Sequence, residues 1–363
     1  MYTRFGENDI VNRQAQELVT STWSNNDNNM DTIYTSSIQT SLATSTSSGQ
    51  FFCEVYNQRP TGADAGSSPE LQFSIAYGHK AGSGSPDFTN DTGSFGLSAA
   101  RVNYNQYRQL HFNDDTKFFT FGDSHSPDGI YIINIERARY KQRLTLGSLS
   151  LQLADCNASY ASTTTPEGHL LHLTDDSVTN PAGAGTSNLG TYYNIVSGAA
   201  GIVLDGTTAN TQVGGSGSYG HLYPEAGLII LNADAFHFNA ATRSRAEITD
   251  SSVPTYTGSK NHEKIFRAIS NSGHFIIDTT EEINSEFYFC RARNDQFNYT
   301  NNESFVDASK NIRFETMKLN PKVFITTVGL YNDAFELLAV AKLSQPVAKD
   351  FTKEALIRVK LDY

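Results

Sequence analysis

Apolar and polar positions alternate most regularly at the end of the chain. Residues 354–363 read EALIRVKLDY, which puts Ala355, Ile357, Val359 and Leu361 on one face of a strand and Leu356, Arg358, Lys360 and Asp362 on the other. Upstream, residues 323–331 (VFITTVGLY) form a β-branched and aromatic run. Asn332, Asp333 and Ala334 follow with turn chemistry, and residues 337–343 (LLAVAKL) return the chain, predicting a hairpin that stops at Ser344-Gln345-Pro346. The same pattern predicts strands at 51–57 and 71–77, paired antiparallel, and at 117–121, 129–135, 149–153, 169–173, 275–278 and 286–293. Between 192 and 231 it predicts short strands broken by glycine, with Pro224-Glu225-Ala226-Gly227 as a turn. Helical spacing occurs at 97–110, with Ala100, Tyr104, Tyr107 and Leu110 on one side. It recurs at 261–269, with Asn261 as N-cap and Ile265, Phe266 and Ile269 inward, and a short helix is expected within 232–242.

These elements predict a mainly β fold with a few short helices (α+β), built as antiparallel β-sandwich-like lobes with long loops and an extended N-terminal arm. Twenty-two Phe and 18 Tyr against three Met agree with strands more than with helical bundles. At 363 residues the chain has room for several lobes. The expected division is an arm at 1–42, a β-rich lobe at 43–155 with a helix near 97–110, a loop-rich β lobe at 156–255, and a C-terminal β lobe at 256–363 ending in the hairpin and terminal strand. The arm is polar, and its Tyr2, Phe5, Trp23 and Tyr34 are read equally as anchors for a neighbouring subunit or as contacts of an arm packed along its own subunit.

Charge narrows the classes of partner. A net charge of −11 and a pI near 5.3 argue against general binding to nucleic acid or to an anionic membrane. Residues 310–363 carry nine Lys/Arg and six Asp/Glu, so this end is positive within an acidic chain, which reads as an ordinary solvated surface or as docking on a neighbour through Arg358, Lys360 and Tyr363. A second basic cluster, Arg137, Arg139, Lys141 and Arg143, reads as a solvated short helix or as a docking patch for an acidic surface. Cys53, Cys156 and Cys290 are far apart and odd in number, which predicts thiols without a disulfide framework. The start of the chain has no apolar signal segment, and no run approaches the ~18 apolar residues of a membrane span.

Candidate chemistry is sparse. Gly78-His79-Lys80-Ala81-Gly82-Ser83-Gly84-Ser85 follows a strand but lacks the spacing of a phosphate loop, and reads as a surface loop. Gly215-Ser216-Gly217 lacks the strand-to-helix setting of a nucleophile elbow. His169 and His172 lie three apart on a predicted strand and so face opposite sides. Asp114-Asp115 and Asp175-Asp176 are loop acids able to hold a cation but read first as solvated turns, and Glu281 and Glu282 diverge. No catalytic, cofactor-binding or metal residues are therefore expected.

The run TTVGLYNDAFELLAVAKLSQP followed by KEALIRVKLDY resembles the closing segment of structural proteins from contractile-tailed phages of marine bacteria. Its Gly-Leu-Tyr, Asn/Asp turn and Glu-Leu-Leu-Ala-Val-Ala pattern is similar to attachment modules of phage tail-fibre and tail-collar proteins. FFCEVYN, FSIAYGHKAGSG, YNQYRQL, IYIINIERARYKQRL, YNIVSG, LYPEAGLIILN and FYFCRARNDQFNYTNN extend the resemblance upstream in the same order. The resemblance implies a non-enzymatic virion protein of the tail, made in the host cytoplasm and placed at the baseplate or fibre-attachment layer. Its partners would be other tail, baseplate or fibre proteins, with self-association into a dimer or trimer also compatible. The alternatives are a neck, collar or head-decoration protein, a receptor- or glycan-binding module, and a hydrolase.

Overall fold

The computed structural model describes residues 3–35, 52–60, 65–84, 98–122, 126–154, 170–203, 218–236, 261–300 and 302–362. Strands in chain order are β1 (Ile10–Ser21), β2 (Phe52–Tyr56), β3 (Leu71–His79), β4 (Gly129–Ile135), β5 (Arg143–Leu144), β6 (Ser150–Ala154), β7 (Leu170–Asp175) and β8 (Gly185–Ser187). They continue with β9 (Gly190–Ala199), β10 (Ile202–Val203), β11 (Gly220–Tyr223), β12 (Leu228–Asn232), β13 (Phe275–Ile276), β14 (Asp278–Ala292), β15 (Val323–Tyr331), β16 (Leu337–Lys349) and β17 (Ala355–Asp362). The α-helices are α1 (Ala99–Phe112), α2 (Asn261–Ser272) and α3 (Glu315–Leu319). The protein is mainly β with antiparallel sheets, as the alternation predicted.

The chain forms two compact units, Leu18–Glu281 and Met1–Glu17 with Glu282–Tyr363. Their borders fall elsewhere than at 42, 155 and 255. The expected N-terminal arm is not what the structure shows: Ile10–Ser21 is a strand, and Trp23, Met30 and Ile33 are buried in the core of the larger unit. Trp23 has only 2 % of its surface exposed. Its indole N–H donates to the Phe275 carbonyl at 2.7 Å, and its ring lies 4.8 Å from Phe275 and 5.7 Å from Phe73. A polar segment reaches the core here because Trp23, Met30 and Ile33 supply the burial that the polar residues between them lack.

The larger unit is an eleven-stranded antiparallel sheet, curled into a half-barrel, in the order β13-β6-β7-β9-β11-β12-β4-β3-β2, with β8 and β10 on β9. Its central strands are apolar on both faces, which is why GIYIINI and LIILN read as runs instead of alternations. Tyr131, Ile133 and Leu231 face a core that holds Trp23, Phe275 and Ile265 and Ile269 of α2. Ile130, Ile132 and Ile230 face a second core with Tyr104 of α1, Phe119, Phe121 and Tyr223. Phe119 and Phe121 are fully buried, but the expected strand at 117–121 is an extended tether with a single bridge at Phe121.

Helix α1 corrects the expected register. Ala100, Tyr104 and His111 face inward, whereas Leu110 is 42 % exposed. Two turns take about seven residues, so the stripe that contains Tyr104 reaches residue 111, and Leu110 is rotated off it. In α2, Ile265 and Ile269 are buried as expected, while the side chain of Asn261 donates to the Gly84 carbonyl at 2.6 Å. The glycine-rich stretch after β3 is a turn. The N–H groups of Ala81 and Ser83 donate to Nδ1 of His79, Gly82 and Gly84 have positive φ, and Lys80 is paired with Asp128. The 224–227 turn forms as read, with Gly227 at φ 63°, where an added Cβ would lie 2.4 Å from the Tyr140 ring. Cys53 is buried and Cys290 half-buried, and Cys156 lies outside the described residues.

In the smaller unit β17 pairs antiparallel with β14, from Ser285↔Asp362 to Ala292↔Ala355, and Asp9 accepts a backbone hydrogen bond from Phe289 at 2.8 Å. Ile357 and Val359 are buried with Leu330 of the hairpin, which confirms the predicted face. The hairpin β15–β16 is longer than expected. Pairing jumps from Ile325↔Val347 to Thr327↔Lys342, so the Ser344-Gln345-Pro346 break is a bulge within the ladder. Pro346 has no N–H to donate, and the interruption accommodates it.

Candidate interaction surfaces

The hairpin is the part of the smaller unit least satisfied by its own fold. β-branched residues favour the extended backbone of β15, and its turn is closed by Asn332. The Asn332 N–H donates to the Glu336 carbonyl at 3.1 Å, its side-chain carbonyl accepts from the Glu336 N–H at 2.8 Å, and Phe335 takes φ 63°. Ile325, Val328, Leu330, Ala339, Ala341 and Leu343 point inward onto Ile357, Val359 and Tyr288. An exposed strand face is ordinarily polar, but here Phe324, Leu338 and Val340 on the other face are 61, 68 and 58 % exposed, with Tyr331 and Leu337 also open. The register places Val340 opposite Gly329 and Lys342 opposite Thr327, so Lys342 adds a cation to the apolar face. At the turn end Tyr331 and Leu337 flank Gly329, which pairs with Val340, while Phe324 stands five residues further along β15 opposite Ala348; exposed apolar groups of this kind mark interaction sites.

The residues expected at interfaces divide. Trp23 is not an anchor for a neighbour, because its ring and its N–H are both used inside its own unit. Tyr34 is half-buried, bridged to Tyr56 and covered by the Arg59 guanidinium at 5.9 Å; Phe5 packs against Tyr288 at 5.6 Å. The basic cluster forms a single 3₁₀ turn at Arg137–Arg139, as the short-helix reading expected, and its side chains do not make one open patch. Arg137 lies 4.6 Å over the Tyr140 ring and donates to the Tyr140 carbonyl at 2.6 Å, and Arg139 pairs with Glu70 at 2.8 Å. Arg143 is half-buried in β5, and Lys141 is exposed. Arg358 and Lys360 face outward on β17, Arg358 over Phe287 at 5.2 Å and Lys360 paired with Asp362 at 2.8 Å. Tyr2 and Tyr363 lie outside the described residues.

The larger unit holds a buried histidine–tyrosine cluster that the sequence reading missed. The Tyr223 hydroxyl and His111 Nδ1 share a hydrogen bond of 2.7 Å, and the rings of His111 and His221 stack with centroids 6.3 Å apart. His221 also lies 4.6 Å from Phe121 and 4.4 Å from Tyr192, and its Nδ1 has no hydrogen-bond partner. Burial holds the His111 imidazole down at about 4; burial, and then the neighbouring His111, hold His221 at about 3. The only sequence signal was spacing, since His221 and Tyr223 are two apart on a strand and so share a face.

Above about pH 6.5 both histidines are neutral whether folded or unfolded, and they add no pH dependence. Below it the unfolded chain takes up protons that the folded chain refuses. Each histidine should then cost about 1.4 kcal/mol per pH unit, down to its folded value near 4 or 3. Denaturant melts between pH 7 and 4 should show this slope, and His221→Phe should remove about half of it.

The Asp175-Asp176 pair is not a solvated turn. Both residues are buried: Asp175 accepts from the Gly147 N–H at 2.9 Å and from Ser177, and Asp176 accepts from the Asn194 N–H at 2.9 Å. Burial raises the Asp176 carboxyl above the ordinary carboxylate range. Among the described residues no three His, Cys, Asp or Glu side chains gather as a metal site would require, and no helix is long and apolar enough to cross a membrane. Compared with protein-family models, with curated proteins and with solved structures, the chain matches none.

Proposed function

We propose that this chain is a non-enzymatic structural subunit of a contractile phage tail, an adaptor at the baseplate or fibre-attachment layer that docks on its neighbours through the β15–β16 hairpin. The observation that carries the reading is the apolar outer face of that hairpin, where Phe324, Leu338 and Val340 are the most exposed large apolar side chains on the strands of the smaller unit. Burying side chains of this size contributes ~1.5–3 kcal/mol each, enough for a few of them to anchor an interface. The resemblance of the same segment to tail-fibre and tail-collar attachment modules supplies the kind of assembly. The smaller unit is nearly neutral, with 13 Lys/Arg and 14 Asp/Glu, whereas the larger carries 14 and 24. Repulsion from an acidic neighbour is therefore weaker for the smaller unit than for the larger.

The paired substitution Leu338→Lys and Val340→Lys tests the reading. Both side chains point outward, so the isolated protein should keep its melting temperature, and phage carrying the variant should lose the subunit from purified particles by mass spectrometry. Normal incorporation and normal infectivity would sink the docking role.

A further inference from the structure

Strand β17 has one paired edge and one open edge. It joins β14 through eight residue pairs with no register shift, and on its other side no strand pairs with it among the described residues. In an antiparallel ladder every second residue turns its N–H and C=O away from the partner, so half of the backbone groups of Ala355–Asp362 are offered to a further strand. Open edges are ordinarily blunted by proline, by a bulge or by charge. The β15–β16 hairpin carries Pro346 and two register shifts, whereas β17 relies on charge alone.

That charge has a sign. Ile357 and Val359 are buried on the inner face, and Arg358 and Lys360 stand on the exposed outer face. The register sets Arg291 opposite Leu356 and Phe289 opposite Arg358, so the two guanidinium groups are diagonal neighbours on that face. Lys360 is paired with Asp362 at 2.8 Å. Neither Arg291 nor Arg358 has a carboxylate partner among the described residues, and Arg358 lies over the Phe287 ring at 5.2 Å. Three cations therefore share this face with one acid. A second copy of β17 laid antiparallel about Val359 would set Arg358 against Lys360, and like charges directly opposite repel. A nucleic acid has no backbone amides with which to continue the ladder. A polypeptide strand with acidic residues at alternate positions meets both demands, since its amides pair with the edge and its carboxylates fall beside Arg358 and Lys360. Its intervening apolar residues would continue the face of Ile357 and Val359. We infer that the open edge of β17 takes up an extended acidic segment of a partner protein as a further strand. The surface uses no outward residue of the hairpin, so it fails or holds separately from the docking reading above.

The experiment titrates the purified full-length protein into a fluorescein-labelled peptide of five Glu-Val repeats and follows anisotropy. A Lys-Val peptide of the same length and a Glu-Val peptide N-methylated at alternate residues serve as comparisons. The acidic peptide should bind, and hydrogen exchange should slow at the amides of β17. The lysine peptide should not bind, and neither should the N-methylated one, which keeps the charge but cannot pair with the edge. The double variant Arg358→Glu, Lys360→Glu should weaken the acidic peptide by about tenfold with unchanged melting. The variant Leu338→Lys, Val340→Lys should bind it as the wild type does. No binding of the acidic peptide, equal binding of either comparison peptide, or loss of binding in the hairpin variant would each overturn the assignment. The N-methyl comparison needs no substitution, so it decides the matter even where the charge reversal disturbs folding.

Discussion

Trp23→Ala is expected to lower the unfolding free energy of the larger unit by about 3–5 kcal/mol, the usual cost of deleting a fully buried large aromatic side chain. The site has little means of collapse, since Phe73 and Phe275 meet the indole from two sides and are themselves 5.3 Å apart. The Phe275 carbonyl also loses its partner. Trp23→Phe should cost less, because it keeps most of the apolar volume and loses mainly the hydrogen bond. Urea titration followed by far-UV circular dichroism reads both variants. A loss near zero for the alanine variant would mean that residues 18–35 are peripheral and that the expected arm was nearer the truth.

Removing residues 355–363 should unfold the smaller unit. The deletion takes away the eight-residue ladder with β14 and the buried Ala355, Ile357 and Val359, on which Leu330 and Val328 of the hairpin rest. Each large apolar side chain lost from the core forfeits ~1.5–3 kcal/mol, and β14 is left with an open edge. Hydrogen exchange should show the amides of β14 from Ser285 onward and of β15 and β16 losing protection, while those of β4 and β12 keep theirs. Full protection in β15 and β16 would show that the hairpin does not depend on the terminal strand.

Much of the fold was legible because the chain repeats simple periods. The terminal strand, the hairpin, the antiparallel pairing of β2 with β3 and the turn at Gly227 follow from alternation, turn residues and chirality. What was not legible had physical causes. Trp23 lies in a segment too polar to suggest burial, and its partners Phe73 and Phe275 are 50 and 252 residues away. Leu110 and His111 are adjacent, and one helical residue of rotation decides which is buried. Arg137 and Arg139 look like a docking patch until Tyr140 and Glu70 are placed beside them.

The hairpin's outer face could have been seen earlier. LLAVAKL is a run where a half-exposed strand should alternate, and Leu338 and Val340 are its surplus apolar positions.

The most direct measurement is a cryo-EM map of the tailed particle to which the proposed function assigns this chain, at a resolution that shows side chains. The account predicts the chain at the baseplate or fibre-attachment layer, with Phe324, Leu338 and Val340 covered by a different subunit. A chain absent from the particle, or present with that face of the hairpin open to solvent, would contradict it.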